Sequence, residues 1–563
     1  MPPKKIDGSP AADWILTDAR IWPGGPEWAE GAPSPLPTTM ALRHGRVLAL
    51  GSRDEVMTLR GPGTAVHSLE GGFVMPGFVD AHVHLQVGGL ALHRLDLRGV
   101  ASPEEFIQRV ADRTRSTPEG GWILGGDWSQ EDWDGALPNR EWLDRAAPNH
   151  PVFLHRRDLH MGVANSLALA LARIHADTPD PDNGHIDRAP GSGEPTGILR
   201  EWAIRSVAEA IPPPSEGERR SALRAGALHA LSHGVTQLHD KGALHSTQES
   251  WRSFRLLQVL RAEGRLPVRV VASLPLEDWE GVAELVAAEG RGDEWLRWGR
   301  VKAFVDGSLG STTAWFHEPY LGEPWNFGAP ISDLDELRRD LIRAVDSGLH
   351  PAVHAIGDRA NDWILDVYEE IGRAHPDRDL RLRVEHGQHM TPSAVERAGS
   401  VDVVYSVQPL HLVDDASWTH HKLGPEREKE AFPFRSLERA GARLAFGSDW
   451  TVAPLHPLAA VQSAVTRRVR GADGVPAGAW IPEERMRLGH ALLAHTYGGA
   501  VAGFMEGETG SLAVGKRADF VVLSNNPFEV VPDHLLEEVR VEMTFVDGIL
   551  AFKLEDALSG TGS

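Results

Sequence analysis

Cysteine is absent from all 563 residues. Disulfides, thiolate metal sites and cysteine nucleophiles are excluded together, so any metal has to be held by His, Asp, Glu or a modified Lys. Positive charge is also short, 57 Lys and Arg against 79 Asp and Glu, for a formal net charge of -22. Without a basic face phosphates cannot be neutralised, which argues against nucleic acid and anionic membrane as partners and leaves small molecules. No run reaches the ~20 apolar residues of a membrane span. The opening "MPPKKIDGSPAADW" (Met1 to Trp14) has a basic start without the apolar stretch of a secretion signal, so the expected location is cytoplasmic. Tyrosine is scarce as well, 4 residues against 18 Trp. Trp122, Trp128, Trp133 and Trp142 fall close together and either line an aromatic substrate pocket or pack as core.

What is present is the composition of an ordinary globular protein, 41% hydrophobic and 24% charged. Its length exceeds the roughly 250 residues of one barrel, which predicts a large catalytic domain with additions. Both ends read as short β-strands around tight turns, His44-Gly45 in one and Asp547-Gly548 in the other. Residues 1–74 and 506–563 are therefore expected to complete one small β-sandwich. Between them, in residues 75–505, strand-length apolar runs alternate with amphipathic helical stretches. The runs are "GFVDAHVH", "GVTQLHD", "PVRVVASLPL", "GRVKAFVDG", "HPAVHAIGD", "RLRVEHGQH", "DVVYSVQP" and "ARLAFGSD". Eight such units favour an α/β fold of the (β/α)8 TIM-like barrel type over an open sheet. About 150 residues separate the first run from the second, far more than an ordinary connection. An inserted subdomain at about 90–225, including "PVFLHRRDLH", is expected there, either as a substrate lid or as surface decoration. Gly88 and Gly89 read as its flexible start.

Residues able to carry chemistry cluster at the ends of these runs. His82 and His84 are two apart and project together from a strand end, where barrel active sites lie. Alone the pair is equally consistent with exposed or core histidines. Lys302, on the fourth run, faces a barrel interior in which an unpaired ammonium is costly. It is either paired with Asp306, directed outward, or converted by carbon dioxide into a carbamate able to bridge two metals. His354, His386 and Asp449 close the fifth, sixth and eighth runs. Convergence of these N and O donors selects a hard or borderline divalent metal, zinc above all.

The set resembles the amidohydrolase superfamily of metal-dependent hydrolases. The stretches "MPGFVDAHVHL", "VKAFVDGSLGSTTA", "HAIGDRA", "FGSDWTV", "NSLAL", "PTGILRE" and "GSLAVGKRADFVVL" are similar to the branch that includes N-substituted formamide deformylase. The resemblance implies that His82, His84 and Asp449 hold the more buried metal, that His354 and His386 hold the more exposed one, and that carbamylated Lys302 bridges them. It implies hydrolysis of an amide C–N bond, with Asp449 as the base and His386 stabilising the oxyanion. The expected substrate is a small-molecule amide, an N-substituted formamide or another N-acyl amine. His239, Asp240, Asp306, Asp358, Gln408 and His411 are candidates either for substrate contact or, equally, for structural hydrogen bonding, and Trp128 either for substrate contact or for core packing. His420-His421 reads as surface, and a homodimer is allowed. Deamination or cyclic-amide hydrolysis is the alternative, although "HAIGDRA" offers no Glu near His354 for a deaminase. A non-catalytic scaffold would be expected to have lost ligands, and none is lost.

Overall fold

The computed structural model describes residues 11–32, 35–130, 133, 135–156, 161–181, 184–201, 203–243, 246–470 and 476–555. The basic N-terminal stretch and residues 157–160 of "PVFLHRRDLH" lie outside the described residues. The chain forms two compact units, residues 1–88 with 223–563 and residues 89–222.

The first unit is built on an eight-stranded parallel sheet. Its strands are β1 (Phe78–Val83), β2 (Val235–Asp240), β3 (Arg269–Pro275), β4 (Leu296–Phe304), β5 (His350–Ala355), β6 (Arg383–His386), β7 (Val404–Val407) and β8 (Arg443–Phe446). Each falls within one of the eight runs or overlaps it, and each pairs with its sequence neighbour. Beyond β8 the ring nearly closes, because Asp449 N donates to His82 O at 2.7 Å and His84 N donates to Trp450 O at 3.0 Å. The product is a nearly closed parallel α/β barrel in which the C-terminal ends of all eight strands face one way.

Alternation along the strands divides two environments. One set of side chains (Leu238, Val270, Val301, Val353, Val384, Val407) joins helix residues such as Leu257, Leu341, Ile364 and Val461 in the main apolar core. The other set points inward and is polar, with Asp80 and His82 on β1, Gln237 and His239 on β2, Arg300 and Lys302 on β4, and Arg383 and Glu385 on β6 all buried. The interior is thus packed with charge rather than with the branched apolar layers common in such barrels. Among the described residues this unit also carries a two-stranded sheet, Arg468–Arg470 with Pro476–Ala479, and two sheets formed from the chain's terminal regions. One contains Trp14–Thr17, Thr39–Arg43, Arg46–Gly51 and Ala65–Ser68, and the other joins Arg20–Ile21 and Phe73–Pro76 to Phe520–Leu523, Val541–Val546 and Ile549–Lys553. They share an apolar cluster that includes Leu16, Met40, Val74, Phe520 and Val522. His44 and Gly45, and likewise Asp547 and Gly548, all have positive φ, as a two-residue hairpin turn of the right twist requires.

The second unit carries a six-stranded sheet whose order runs Gly184–Arg188, Pro195–Glu201, Met161–Ala164, Val152–Arg156, Ile123–Trp128, Leu95–Asp96. Asn165 of "NSLAL" staples it. Its side chain accepts from Val152 N at 2.9 Å and from Ala168 N at 3.0 Å, and donates to His150 O at 2.8 Å. Gly88 and Gly89 are not a flexible hinge, since both sit within the helix Leu85–Leu92. A Cβ on Gly88 would meet the Trp450 ring at 2.3 Å, and one on Gly89 would meet Ala222 O at 1.8 Å. Close packing demands glycine there. Among the described residues no helix is long and apolar enough to cross a membrane.

Candidate metal centre

His82, His84 and Asp449 meet where β1 ends beside the segment that follows β8. The Nε2 atoms of both histidines lie 3.4 Å from Asp449 Oδ1. Each ring is turned by a bond on its other nitrogen: His82 Nδ1 to Glu385 Oε2 at 2.7 Å, and His84 Nδ1 to Gly242 O at 2.8 Å. Both acceptors demand an N–H at Nδ1, so each Nε2 is left as a lone-pair donor facing the centre. His386 is set in the same way. Gln408 Nε2 donates to Ser406 O at 3.1 Å, which directs Gln408 Oε1 to His386 Nδ1 at 2.8 Å. The His386 ring lies 5.0 Å from that of His82 and 4.5 Å from that of His354. His354 uses Nε2 on Gly307 O at 3.0 Å, which leaves Nδ1 as its free nitrogen.

Strict alternation would send His386 outward with Val384. Instead His386 takes φ 77°, and Asp449 takes φ 55°. Left-handed backbone at a non-glycine residue is strained, and here it re-aims two donors toward the centre.

Lys302 Nζ is buried with no hydrogen-bond partner and lies 4.7 Å from the Phe304 ring. The alternative pairing with Asp306 is not formed. Asp306 instead accepts backbone N–H bonds from Trp315, Ile356 and Gly357 at 2.8, 3.0 and 2.8 Å. Burial lowers the Lys302 amine to about 8, against the pull of Glu385 and Asp449. Burial likewise lowers His82 to about 3 and His354 to about 4, which keeps these rings neutral. Burial pushes the Asp449 carboxyl up, but His82, His84, His386 and His411 hold it well below the usual range.

These residues fit a divalent cation. Ligand atoms of His82, His84 and Asp449 lie within 4.8 Å of one another, as do those of His386, His411 and Asp449. Asp449 Oδ1, His411 Nε2 and Lys302 Nζ are all buried without hydrogen-bond partners. Such orphaned polar atoms are costly unless a cation or another strong partner takes them up.

Four candidates for substrate contact are committed to the protein itself. His239 is fully buried, with Nδ1 2.8 Å from Arg383 and Nε2 3.1 Å from Gln237. Asp306 anchors the backbone as described, and Gln408 orients His386. Trp128 is fully buried among Phe106, Trp133 and Leu143, with its indole N–H donated to Leu154 O at 3.1 Å. In each of the four the polar side-chain atoms already have partners within the protein. Asp358 also serves the backbone, accepting from His317 N at 2.8 Å, and Asp240 accepts from Leu85 N at 3.0 Å. The His420-His421 pair is exposed on the helix Thr419–Arg427.

Sequence reasoning underrated His411, whose Nε2 is 4.0 Å from Asp449 Oδ2. It missed the charged support altogether. Glu385 Oε1 receives Lys241 Nζ at 2.8 Å and lies 2.7 Å from Arg383 Nε, and all three side chains have 0% exposure. Arg383 also donates to Ala81 O, and to Ser406 Oγ at 2.6 Å. Asp80 accepts from His82 N at 3.1 Å and from Ser448 N at 3.0 Å, and burial pushes its carboxyl up to about 7. The available signal was the pairing of basic and acidic residues two apart on β6, "RVEH", which inward-facing alternation brings together.

Residues 65–552 match the amidohydrolase family, and the chain belongs to it. It is 42% identical to Protein LONG AFTER FAR-RED 3 of Arabidopsis thaliana, over 92% of this chain and 88% of that protein. It is 29% identical to N-substituted formamide deformylase of Arthrobacter pascens, over 90% of this chain and 94% of that one. The crystal structure of an uncharacterized metal-dependent hydrolase from Pyrococcus furiosus superposes with a TM-score of 0.73 at 31% identity, covering 92% of this chain and 100% of the other. The protein is a hydrolase acting on carbon–nitrogen bonds, and its family depends on a divalent metal ion.

Proposed function

We propose that the protein hydrolyses the C–N bond of an N-substituted formamide or another N-acyl amine at a zinc centre. His82, His84 and Asp449 would hold one ion and His354 and His386 a second, with Lys302 as a carbamate between them. The observation that carries this reading is the buried, partnerless Lys302 amine. At about 8 its neutral form, the one that adds carbon dioxide, is far more accessible than for an ordinary lysine. A bound divalent ion supplies Lewis acidity, polarising the substrate carbonyl and acidifying water.

The chain's own residues do the rest. Asp449, held ionised by its histidine neighbours, accepts the proton of the attacking water and delivers it to the departing nitrogen. His386 presents a lone pair at Nε2, because Nδ1–H is committed to Gln408. It therefore serves as a metal donor rather than as the oxyanion donor expected from sequence. Glu385 fixes the His82 tautomer from behind. The reading takes the two terminal sheets as one β-sandwich and the setting as cytoplasmic.

The test is a screen of purified protein of known metal content against N-formyl, N-acyl and cyclic amides. Release of an amine from N-formyl or N-acyl substrates, in proportion to bound metal, is the expected result. Ammonia release from heterocyclic amines without amide hydrolysis would overturn it.

A further inference from the structure

At the opposite end of the barrel from the metal centre, near the start of β4 and β5, lies a cavity of about 290 Å³ lined by Arg291, Arg297 and Arg300. None of the three forms an ion pair among the described residues. Arg291 donates to Gly348 O. Arg297 reaches Phe504 O at 3.1 Å and Met505 Sδ at 3.5 Å, and Arg300 reaches Pro351 O at 3.2 Å and Ala502 O at 2.7 Å. Backbone carbonyls satisfy single N–H groups, and the opposing charges that act on these arginines, Glu506 and Glu508 on Arg297 and Glu385 on Arg300, form no ion pair with them. The one carboxylate on the wall, Asp379, is occupied by Arg381 at 2.9 Å. Arg381 is further held by Glu506, so it neither needs nor supplies a counter-charge.

Burial lowers Arg291 and Arg297 from the usual guanidinium range; Arg297 adds to the effect on Arg291, while on Arg297 the pull of Glu506 and Glu508 opposes burial and Arg381. This cationic cavity belongs to a chain of net charge -22, so it is a local reversal and not part of a basic surface. Its floor is the Phe504 ring, with the His350 ring 4.4 Å from it and Arg381 Cζ 4.2 Å above it. Both Phe504 (φ 57°) and Arg381 (φ 41°) hold left-handed backbone, a strain that persists only where surrounding structure fixes it.

We infer that this cavity binds a small tetrahedral dianion, a phosphate or phosphate monoester, at a site separate from the metal centre. Planar guanidinium groups match phosphate oxygens in paired N–H bonds, and three of them around one pocket provide more positive charge than Asp379 alone could balance. The volume admits a phosphate together with a small organic group, which the Phe504 and Trp298 rings would flank. Arg300 stands two residues before Lys302 on β4, so an occupant here adjoins the strand that carries the bridging lysine.

The test titrates inorganic phosphate into the metal-loaded enzyme at constant ionic strength, with chloride as the balancing anion, and follows melting temperature and heat of binding. Wild type should show a saturable rise in Tm, and Arg297→Gln should weaken the affinity about tenfold or more, as loss of a charge-assisted contact does. Arg297→Lys, which keeps the charge but loses the fork, should fall between. Arg291→Gln provides a second variant if Arg297→Gln does not fold. A response that never saturates, or one of equal strength in wild type and variants because phosphate sits at the metal centre, would overturn the assignment.

Discussion

Replacing Glu385 by Gln tests how the metal centre is held. In the native protein its carboxylate lies 2.7 Å from His82 Nδ1, 2.8 Å from Lys241 Nζ and 2.7 Å from Arg383 Nε, with no solvent access. Glutamine keeps the shape but offers one acceptor oxygen, and it turns an amide N–H₂ toward groups that are themselves donors. Two buried cations lose their counter-charge, and breaking a buried pair from one side costs about 3–5 kcal/mol. Against a total stability of roughly 5–15 kcal/mol, that is a large fraction. Separately, a His82 ring freed from its tautomer-fixing partner should bind metal about 10–100-fold more weakly. Thermal unfolding reads the first effect and chelator competition reads the second. The double variant Lys241→Met with Glu385→Gln separates them, because removing Lys241 as well should recover part of the stability, Arg383 alone remaining without its carboxylate, and should not restore affinity. Metal affinity unchanged in Glu385→Gln would refute the claim that this carboxylate sets the His82 donor.

Other outcomes follow from the same geometry. Asp449→Asn should lower turnover by about 10²–10⁴-fold or more while the melting curve persists, and full activity would remove Asp449 from the base role. Chelation should inactivate the protein and added zinc should restore it, whereas normal amide hydrolysis by the stripped protein would sink the metal mechanism. At a fixed concentration of dissolved carbon-13 CO2, metal-free protein should label Lys302 faster as pH rises, levelling above about 8, where the amine is neutral. The sign for stability follows from the same depression below 10.5: this group's contribution to the metal-free fold is complete above the unfolded value and is lost as pH falls through about 8. Gly447→Ala should destabilise by about 1–3 kcal/mol and weaken metal binding. The new methyl would stand 2.5 Å from His82 N and 2.8 Å from His82 Cβ.

The barrel strands were legible because each is an apolar run of the right length between helical stretches, and both terminal hairpins because His44-Gly45 and Asp547-Gly548 name their turn type. Strand ends also exposed the donors His82, His84, Lys302, His354, His386 and Asp449 as a set. What stayed hidden depends on phase and neighbours. His386 faces inward only through its positive φ, which no side-chain pattern announces. Glu385, Arg383 and Lys241 read as ordinary surface-type residues until the strands are closed around them. Gly88 and Gly89 looked flexible because a glycine pair is the same whether it bends or lets another group approach, and only the Trp450 ring decides between them. Trp128 could not be decided from sequence for a related reason, since its core partners Phe106 and Leu143 lie many residues away in the chain.

The charged barrel interior bears on how such a centre could be moved or altered. A ligand set copied on to a barrel filled with valine and leucine would carry over the donor atoms but not the field around them. The histidines would lose their tautomer restraints, and the lysine, still desolvated but without Glu385 to raise it, would become less basic still. The unit that sets the field at this centre is larger than its candidate ligands, and it includes the buried Lys241, Arg383 and Glu385. Change inside this barrel therefore has to come in compensating pairs, while the loops at its mouth remain free to vary one residue at a time.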